Sequence, residues 1–221
     1  KHFMESSHVQ DEINRRLKIL DVDDLEALYS VSSDILDLIR AAPLTDDLDR
    51  LIRRHHDRLV RNAGRPVSVS LRSSALGEDS LHGSFAGQYR TRLNVDAAAV
   101  PQAYKDIVAS KYQSQAIVYR QQRGYRHQDV LMCVGCLVMV DAVASGVSYS
   151  RPPDDPRGLW VVIHAAPGLG TKVVEGSSAY DMLRVSRDPP HDIAERRLVN
   201  PPGDHACLSD DQIRELAQRS I

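Results

Sequence analysis

SLRSSALGEDSLHGSFAGQYRTRLNV, residues 70–95, is the stretch that decides the fold of this chain. Residues 66–71 alternate polar and apolar side chains and residues 88–95 again suggest a strand, so two strands are predicted here. Residues 72–83 are small and polar, which predicts a flexible loop between the strands. Gly77, Gly83 and Gly87 allow backbone N–H groups to approach a ligand closely, as phosphate-binding loops require.

Arg72 stands where the first predicted strand gives way to the loop. Its planar guanidinium can donate two parallel hydrogen bonds, which suits a phosphate group. The same pattern also fits an ordinary surface loop whose arginine forms a salt bridge. The local pattern alone therefore leaves a phosphate site and a plain surface loop both open.

The chain before this stretch predicts helices, because its apolar residues recur at steps of three and four. Asp21 or Asp23 is expected to cap the second helix, and Thr45 is expected to cap another that Gly64 ends. In that last helix His55 and His56 lie among arginines, so a solvated surface position is expected for both.

The chain after residue 95 predicts a mixture of helices and strands. Residues 97–123 indicate one or two helices, with Pro101 near the start, and Ser209 is expected to cap a final helix. Strands are predicted over residues 130–140, 146–149, 159–165, 184–186 and 196–199. Helices followed by mixed elements favour an α+β or an α/β fold.

Composition excludes several classes of protein. The 221 residues are 42% hydrophobic and 26% charged, which is typical of a globular protein with a core. A net charge of −2 gives no field that would attract nucleic acid or an anionic membrane. No apolar run is long enough to cross a bilayer, and the N-terminus lacks the apolar core of a signal peptide.

Cysteine usage points to a reducing compartment. The count of three is odd and no secretory signal precedes it, so a cytoplasmic location is expected. Cys133 and Cys136 form a C-x-x-C pair inside an apolar run that reads as a buried strand. Because a zinc site needs further ligands and a redox pair normally opens a helix, small core residues are the expectation.

The opening stretch resembles the arginine-containing phosphate loop of the phosphoenolpyruvate synthase and pyruvate phosphate dikinase family. That family has R-S-S-A-x-x-E-D, then S-F-A-G-Q, then a strand ending in L-N-V, and all three occur here in order between Arg72 and Val95. Residues 111–124, 134–149 and 164–176 resemble later family segments, so the likeness covers nearly the whole chain.

The resemblance implies an α+β fold, namely an ATP-grasp-like domain fragment with mixed, largely antiparallel sheets. Residues 1–64 would form the helical region of the N-terminal subdomain, and residues 65–221 the central part of the nucleotide-binding domain. The chain is expected to be truncated at both ends. The family's phosphate-binding lysine would precede Lys1, and its acidic metal ligands would follow Ile221.

The resemblance also implies a set of ATP-binding residues. Arg72 would be the catalytic group and would contact the nucleotide phosphates together with Ser73. Gly87 and Thr91 would line the phosphate end of the cleft. The residues expected to form the hinge that holds adenine are Val138, Met139 and Val140. Backbone groups of a strand can read the edge of adenine, although plain core packing is the alternative for Met139.

ATP and Mg²⁺ are the cofactors that the resemblance implies, with no metal ligand inside this chain. Glu78 and Asp79 could suit Mg²⁺ as paired carboxylates, but a solvated acid pair is the preferred interpretation. The family's phosphorylated histidine belongs to a separate domain, and its T-S-H-type motif does not occur here.

The function implied is that of a phosphotransferase similar to phosphoenolpyruvate synthase. It would pass phosphate from ATP to a histidine on a separate domain and then to pyruvate, while this fragment alone would be inactive. The expected partners are ATP and the phosphohistidine and phosphoenolpyruvate/pyruvate domains of the parent protein, and a homodimer is left open.

Three alternatives stay open. A related phosphotransferase could use an antibiotic or a glucan as acceptor. A non-catalytic nucleotide-binding module is suggested by departures from the family pattern at Leu137, His164 and Thr171. A purely structural domain without a ligand is the third alternative, and the ordered match of several segments disfavours it.

Overall fold

A computed structural model of the chain describes residues 2–75, 79–80, 83–84, 89–155, 157–174, 176, 180–199 and 207–221. The chain folds as two compact units, Lys1–Met139 and Val140–Ile221. Both units combine helices with antiparallel strands, so the predicted α+β class is confirmed. Among the described residues, no helix is both long and apolar enough to span a membrane.

The first unit begins with four helices: α1 (His2–Ser6), α2 (Val9–Lys18), α3 (Leu25–Ala41) and α4 (Asp46–Ala63). Their packing is driven by the apolar stripes seen in the sequence. A core forms where Phe3, Ile13, Ile35 and Ile39 meet, each at most 2% exposed. Helix periodicity therefore predicted α2, α3 and α4 correctly, whereas α1 was not predicted.

The helix ends follow capping chemistry with one correction. At the start of α3 the Asp24 carboxylate accepts from the Ala27 N–H at 3.1 Å, so the predicted caps Asp21 and Asp23 are wrong. The Asp21 carboxylate instead accepts from the N–H of Asp23, which closes a turn before the helix. Thr45 caps α4 as predicted, and Gly64 ends it at a φ of 65°.

Strand β1 (Val69–Ala75) lies at the centre of the sheet in the first unit. The strands that follow are the short pair β2 (Asp79–Ser80) and β3 (Gly83–Ser84), then β4 (Thr91–Val95) and β5 (Met132–Val138), and the sheet order is β4-β1-β5. Both neighbours of β1 run antiparallel to it. The predicted loop over residues 72–83 is therefore wrong over residues 72–75, where pairing with β5 keeps the chain extended.

Helices cover one face of this sheet. Between β4 and β5 the chain forms α5 (Val100–Ser110) and α6 (Ser114–Gln122), and Val69 and Leu71 pack against α5. His56 on α4 is only 5% exposed, so the expected solvated position is wrong for this histidine. It shares a helix face with Ile52 and Leu59, which contact the same core.

The second unit is a four-stranded antiparallel sheet with a helix against it. Its elements are β6 (Ala144–Tyr149), β7 (Trp160–Pro167), the short α7 (Thr171–Val174), β8 (Asp181–Ser186), β9 (Ile193–Arg197) and α8 (Asp210–Arg219), with strand order β6-β7-β8-β9. Ile213 and Ala217 of α8 pack on Val161, Ile163 and Leu183. Ser209 caps α8 in a capping box with Gln212, as the sequence predicted in part.

Gly146 on β6 occupies a position that admits no side chain. A Cβ atom there would lie 2.0 Å from the backbone carbonyl oxygen of His164 on the adjacent strand. We expect Gly146→Ala to lower the free energy of unfolding of the second unit by about 3 kcal/mol, because backbone must move to relieve the overlap. Urea titration followed by fluorescence of Trp160, the only tryptophan of the chain, reports on this unit directly.

Gly135→Ala on β5 is the matched control. A Cβ there would meet nothing closer than 3.8 Å, so this change should shift the midpoint little. Equal midpoints for the two variants would contradict the close approach of β6 and β7.

Candidate functional site

Arg72 and Thr91 stand side by side on neighbouring strands. Arg72 is the direct partner of Thr91 across β1 and β4, and both residues are exposed. Directly opposed residues of an antiparallel pair project to the same face, with Cβ atoms about 5 Å apart. A guanidinium and a hydroxyl are thus held together on a rigid sheet.

The opposite edge of β1 places a glycine beside Arg72. Arg72 pairs with Gly135 on β5. The space beside Gly135 is open, because the nearest atom to a Cβ at this residue would be the Arg72 carbonyl oxygen at 3.8 Å. The surface next to the guanidinium is therefore free of a side chain on that edge. Such a gap lets a ligand approach the sheet closely.

These residues belong to the face of the sheet that α4 and α5 do not cover. Residues of one strand face alternate, and the buried Val69 and Leu71 point to the helices. We call the other surface the Arg72 face and define it by Arg72, Ser74, Thr91, Cys133, Gly135 and Leu137. Ser73 alternates to the helix side and pairs with Val134, so the structure does not bring its side chain onto the Arg72 face.

The Arg72 guanidinium has no carboxylate partner among the described residues. Arg92, one position further along β4, shows the contrast: it lies on the helix side, where its Nε is 3.9 Å from Asp106 Oδ2. An exposed guanidinium without a carboxylate keeps its donors available for an anionic ligand.

The three predicted adenine residues follow one another at the end of β5. Val138 pairs with Val69, and the Met139 N–H donates to the Ser68 carbonyl at 3.0 Å, which continues the ladder beyond the strand. Met139 is the last residue of the first unit, and the 73% exposed Val140 is the first of the second. Gly87, predicted at the phosphate end, lies outside the described residues.

The C-x-x-C motif is divided between the two faces of the sheet. Cys133 pairs with Ser74 on the Arg72 face and is exposed, whereas Cys136 pairs with Leu71 on the helix side and is half-buried. The expectation of two buried core residues is therefore wrong for Cys133. Strand alternation forces residues three apart onto opposite faces, so the two thiols do not form one site.

Metal ligands are not gathered in the described part of the chain. No group of three His, Cys, Asp or Glu side chains is close enough there to hold an ion. Glu78 lies outside the described residues, and Asp79 is placed in β2 by its backbone.

The structure shows the environment of Leu137 and His164, two residues that depart from the family pattern. Leu137 is half-exposed on the Arg72 face. His164, on β7, stacks on Tyr180 with ring centroids 4.5 Å apart and meets the edge of Tyr149 at 5.4 Å. Partial burial lowers the pKa of His164, so the ring is held neutral and apolar against its neighbours.

Sequence reasoning missed Gly135 and Cys133 as residues of the Arg72 face. The signal that could have found them is the alternation of β5, counted from a register with β1. That register joins segments about 60 residues apart and is visible only in the folded chain.

The comparisons with known proteins agree on one family. The profile described as pyruvate phosphate dikinase, AMP/ATP-binding domain, matches residues 1–220. A probable phosphoenolpyruvate synthase of Methanocaldococcus jannaschii is 33% identical over 99% of this chain and 20% of the relative. The phosphoenolpyruvate synthase of Aquifex aeolicus is 36% identical over 81% of this chain and 22% of the relative.

The phosphoenolpyruvate synthase of Escherichia coli is 35% identical over 84% of this chain and 24% of the relative. The chain thus spans about a fifth to a quarter of the length of these curated relatives. The family resemblance predicted from the sequence is confirmed.

The three thiols should differ in their reactivity towards an alkylating reagent. Burial raises the pKa of Cys136, and burial together with the Asp181 carboxylate raises the pKa of Cys207 to about 11. A raised pKa means less thiolate, so only about a thousandth of Cys207 is reactive at about pH 8. We expect iodoacetamide to label the exposed Cys133 first, as measured by peptide mass mapping. Labelling of Cys136 or Cys207 ahead of Cys133 would contradict the placement of the thiols.

Proposed function

This chain belongs to the pyruvate phosphate dikinase AMP/ATP-binding domain family, and on that premise we propose that it is the ATP-binding part of a phosphoenolpyruvate synthase-like phosphotransferase. In this proposal the parent protein passes a phosphoryl group from ATP to a histidine on a separate domain and then to pyruvate. The relatives that carry the synthase name are four to five times longer than the matched region. The acceptor steps are therefore assigned to other parts of the parent protein.

The observation that carries the proposal is the arrangement around Arg72. An exposed guanidinium without a described carboxylate partner, a neighbouring Thr91 hydroxyl and the side-chain-free Gly135 lie on one rigid face. Phosphate oxygens prefer this combination of a planar bidentate donor, a hydroxyl and close access to backbone. The family to which the chain belongs binds AMP or ATP by its description.

Arg72 would act by orientation and charge. Its guanidinium binds phosphate oxygens and holds the nucleotide in one position, and Thr91 restricts that position further. Phosphoryl transfer depends on positioning and on compensation of negative charge, and the nucleotide supplies the phosphoryl group. Arg72 contributes both effects without giving up a proton.

The remaining predicted contacts belong to the same proposal. Gly87 would complete the phosphate end, and Ser73 would contribute through its backbone rather than its side chain. Val138, Met139 and Val140 would bind adenine through strand-edge backbone groups and apolar walls. Mg²⁺ would be held by acidic residues of the parent protein outside this chain.

The proposal extends to the location of the protein in the cell and to its partners. The three thiols are free, which supports a cytoplasmic location, where disulfides are rare. The phosphohistidine and phosphoenolpyruvate/pyruvate domains are the proposed partners within the parent protein, and a homodimer remains a proposal that gel filtration would test.

A non-catalytic nucleotide-binding module is the second candidate. The half-exposed Leu137 favours it, because an apolar side chain on the Arg72 face removes a polar contact. A transferase with an antibiotic or a glucan as acceptor shares the ATP chemistry and differs only outside this chain. Incubating the parent protein with ATP labelled at both its β- and γ-phosphates distinguishes the candidates, since a catalytic protein forms an acid-labile phosphohistidine that pyruvate discharges.

ATP affinity should depend on Arg72. We expect Arg72→Ala to weaken Mg·ATP binding by about 10- to 100-fold, because a charge-assisted hydrogen bond contributes about 1.5–3 kcal/mol. Isothermal titration calorimetry of the chain, and of the parent protein, measures the change. Arg72→Lys should recover only part of the affinity, because an ammonium group lacks the fork geometry.

Arg92→Ala is the matched control for this measurement. It removes the same charge from the adjoining strand, but on the helix side of the sheet. Equal losses for both variants would mean that net charge, and not the Arg72 face, governs affinity.

A further inference from the structure

A cavity lies in the first unit, on residues separate from the Arg72 face. It encloses about 500 Å³ between α1, α2, α5 and the segment that leads into β5. Its walls are divided about equally between polar and apolar surface. The apolar part includes Phe3, Met4, Tyr104 and Val108, and Gln10 and Gln128 supply amides. Cavities of this size and character accommodate small organic molecules.

The Lys111 side chain reaches this cavity from the end of α5. The residue is only 7% exposed, and its Nζ has neither a carboxylate nor a hydrogen-bond acceptor among the described residues. Its Nζ lies over the Tyr112 ring, 5.1 Å from the ring centroid. A buried ammonium without a hydrogen-bonded anion is a costly arrangement.

Arg120 places a second cation beside the same ring. It is fully buried on α6, its Nε donates to His127 Nδ1 at 3.1 Å, and its Cζ lies 5.8 Å from the Tyr112 centroid. Neither terminal nitrogen makes a hydrogen bond of good geometry within the described residues. The phenol of Tyr89 also interacts with this guanidinium.

The neutral side chains around Lys111 do not compensate these cations. Burial, then Arg120 and Lys111, lower the pKa of His127 to about 4, so its ring is neutral. Burial raises the pKa of Tyr104 and of Tyr112, so both phenols are neutral as well.

Two carboxylates stand at the rim of the cavity. Asp129 is half-exposed and is paired with Arg126 at 2.7 Å, and Glu5 on α1 is exposed. The inner end of the cavity is therefore positive, the walls between carry apolar side chains beside two amides, and the mouth is weakly acidic.

We propose that this cavity binds a small monocarboxylate with an apolar body, whose carboxylate accepts hydrogen bonds from Lys111 Nζ. The charge on Arg120 stabilises the same anion from behind the Tyr112 ring. A monoanion is favoured over a phosphate dianion, because the rim carboxylates repel a double charge more strongly and the walls offer no further cation. The site is independent of the proposed nucleotide function, since it shares no residue with the Arg72 face.

Binding at this site is coupled to a proton. Burial, and then the charge on Arg120, lower the pKa of Lys111 to about 7, while the charge on Asp129 opposes the shift. A bound carboxylate favours the ammonium and raises that pKa again. Below about pH 7 the amine is already protonated, whereas above it each pH unit should weaken binding by about tenfold, because a proton must be taken up.

Titration calorimetry of the full chain with benzoate tests the proposal, with inorganic phosphate as the comparison anion. We expect saturable benzoate binding at about pH 6 and proton uptake close to one per ligand at about pH 8, from two buffers of different ionisation enthalpy. Phosphate should not compete with benzoate. Absence of benzoate binding, absence of proton uptake at the higher pH, or competition by phosphate would each overturn the proposal.

The variant Lys111→Met tests whether Lys111 binds the carboxylate. Its control is Lys18→Met, on the exposed end of α2. Lys111→Met should keep or raise the melting temperature, since it replaces a buried cation with an apolar side chain of similar length. It should also abolish benzoate binding, whereas Lys18→Met should retain it. Unchanged binding in Lys111→Met would refute the assignment. Arg72→Ala should leave benzoate binding intact, so failure of the nucleotide proposal and failure of this one are distinguishable.

Discussion

Strand β1 is hydrogen-bonded along both of its edges, and the position of every residue on the Arg72 face depends on this pairing. Its seven residues are matched one to one with β5, and β4 pairs with the other edge from Val69 to Arg72. A strand held in this way loses most of its freedom to slip, because a shift of one residue would exchange its two faces. Leu71 and Val69 would then leave the core. The burial of these two side chains therefore fixes the face of the sheet from which Arg72 projects.

Much of the fold could be predicted from the sequence, because helix signals are local. Thr45, Gly64 and Ser209 act on N–H and C=O groups within four residues of themselves, so their roles can be read without a structure. That Asp24, and not Asp21 or Asp23, caps α3 could not be predicted from the sequence, since three neighbouring carboxylates compete for the same N–H groups. Family membership could be predicted from the sequence for a different reason, because several family motifs occur in the same order along the chain.

The candidate site was predictable only in part. The motif indicated Arg72 and Thr91, but their contact is a property of the register between β1 and β4. Gly135, Cys133 and the inward turn of His56 depend on pairing and packing between distant segments. The burial of Lys111 is of the same kind, because α1 and the segment before β5 close over it from positions more than a hundred residues apart. Tertiary contacts, which no local pattern encodes, decide all of these features.

The division of the chain after Met139 has a consequence for biosynthesis. Each unit is one continuous stretch with its own core, and the described strands of the β4-β1-β5 sheet all belong to the first unit. Ribosomes add about 5–20 residues per second, so the first unit can fold while the second is still being made. Strand β5 is the last element that this first unit requires. A ribosome that pauses just after releasing Met139 from its exit tunnel would therefore help the Arg72 face to form, and a pause before β5 would leave β1 with an unpaired edge.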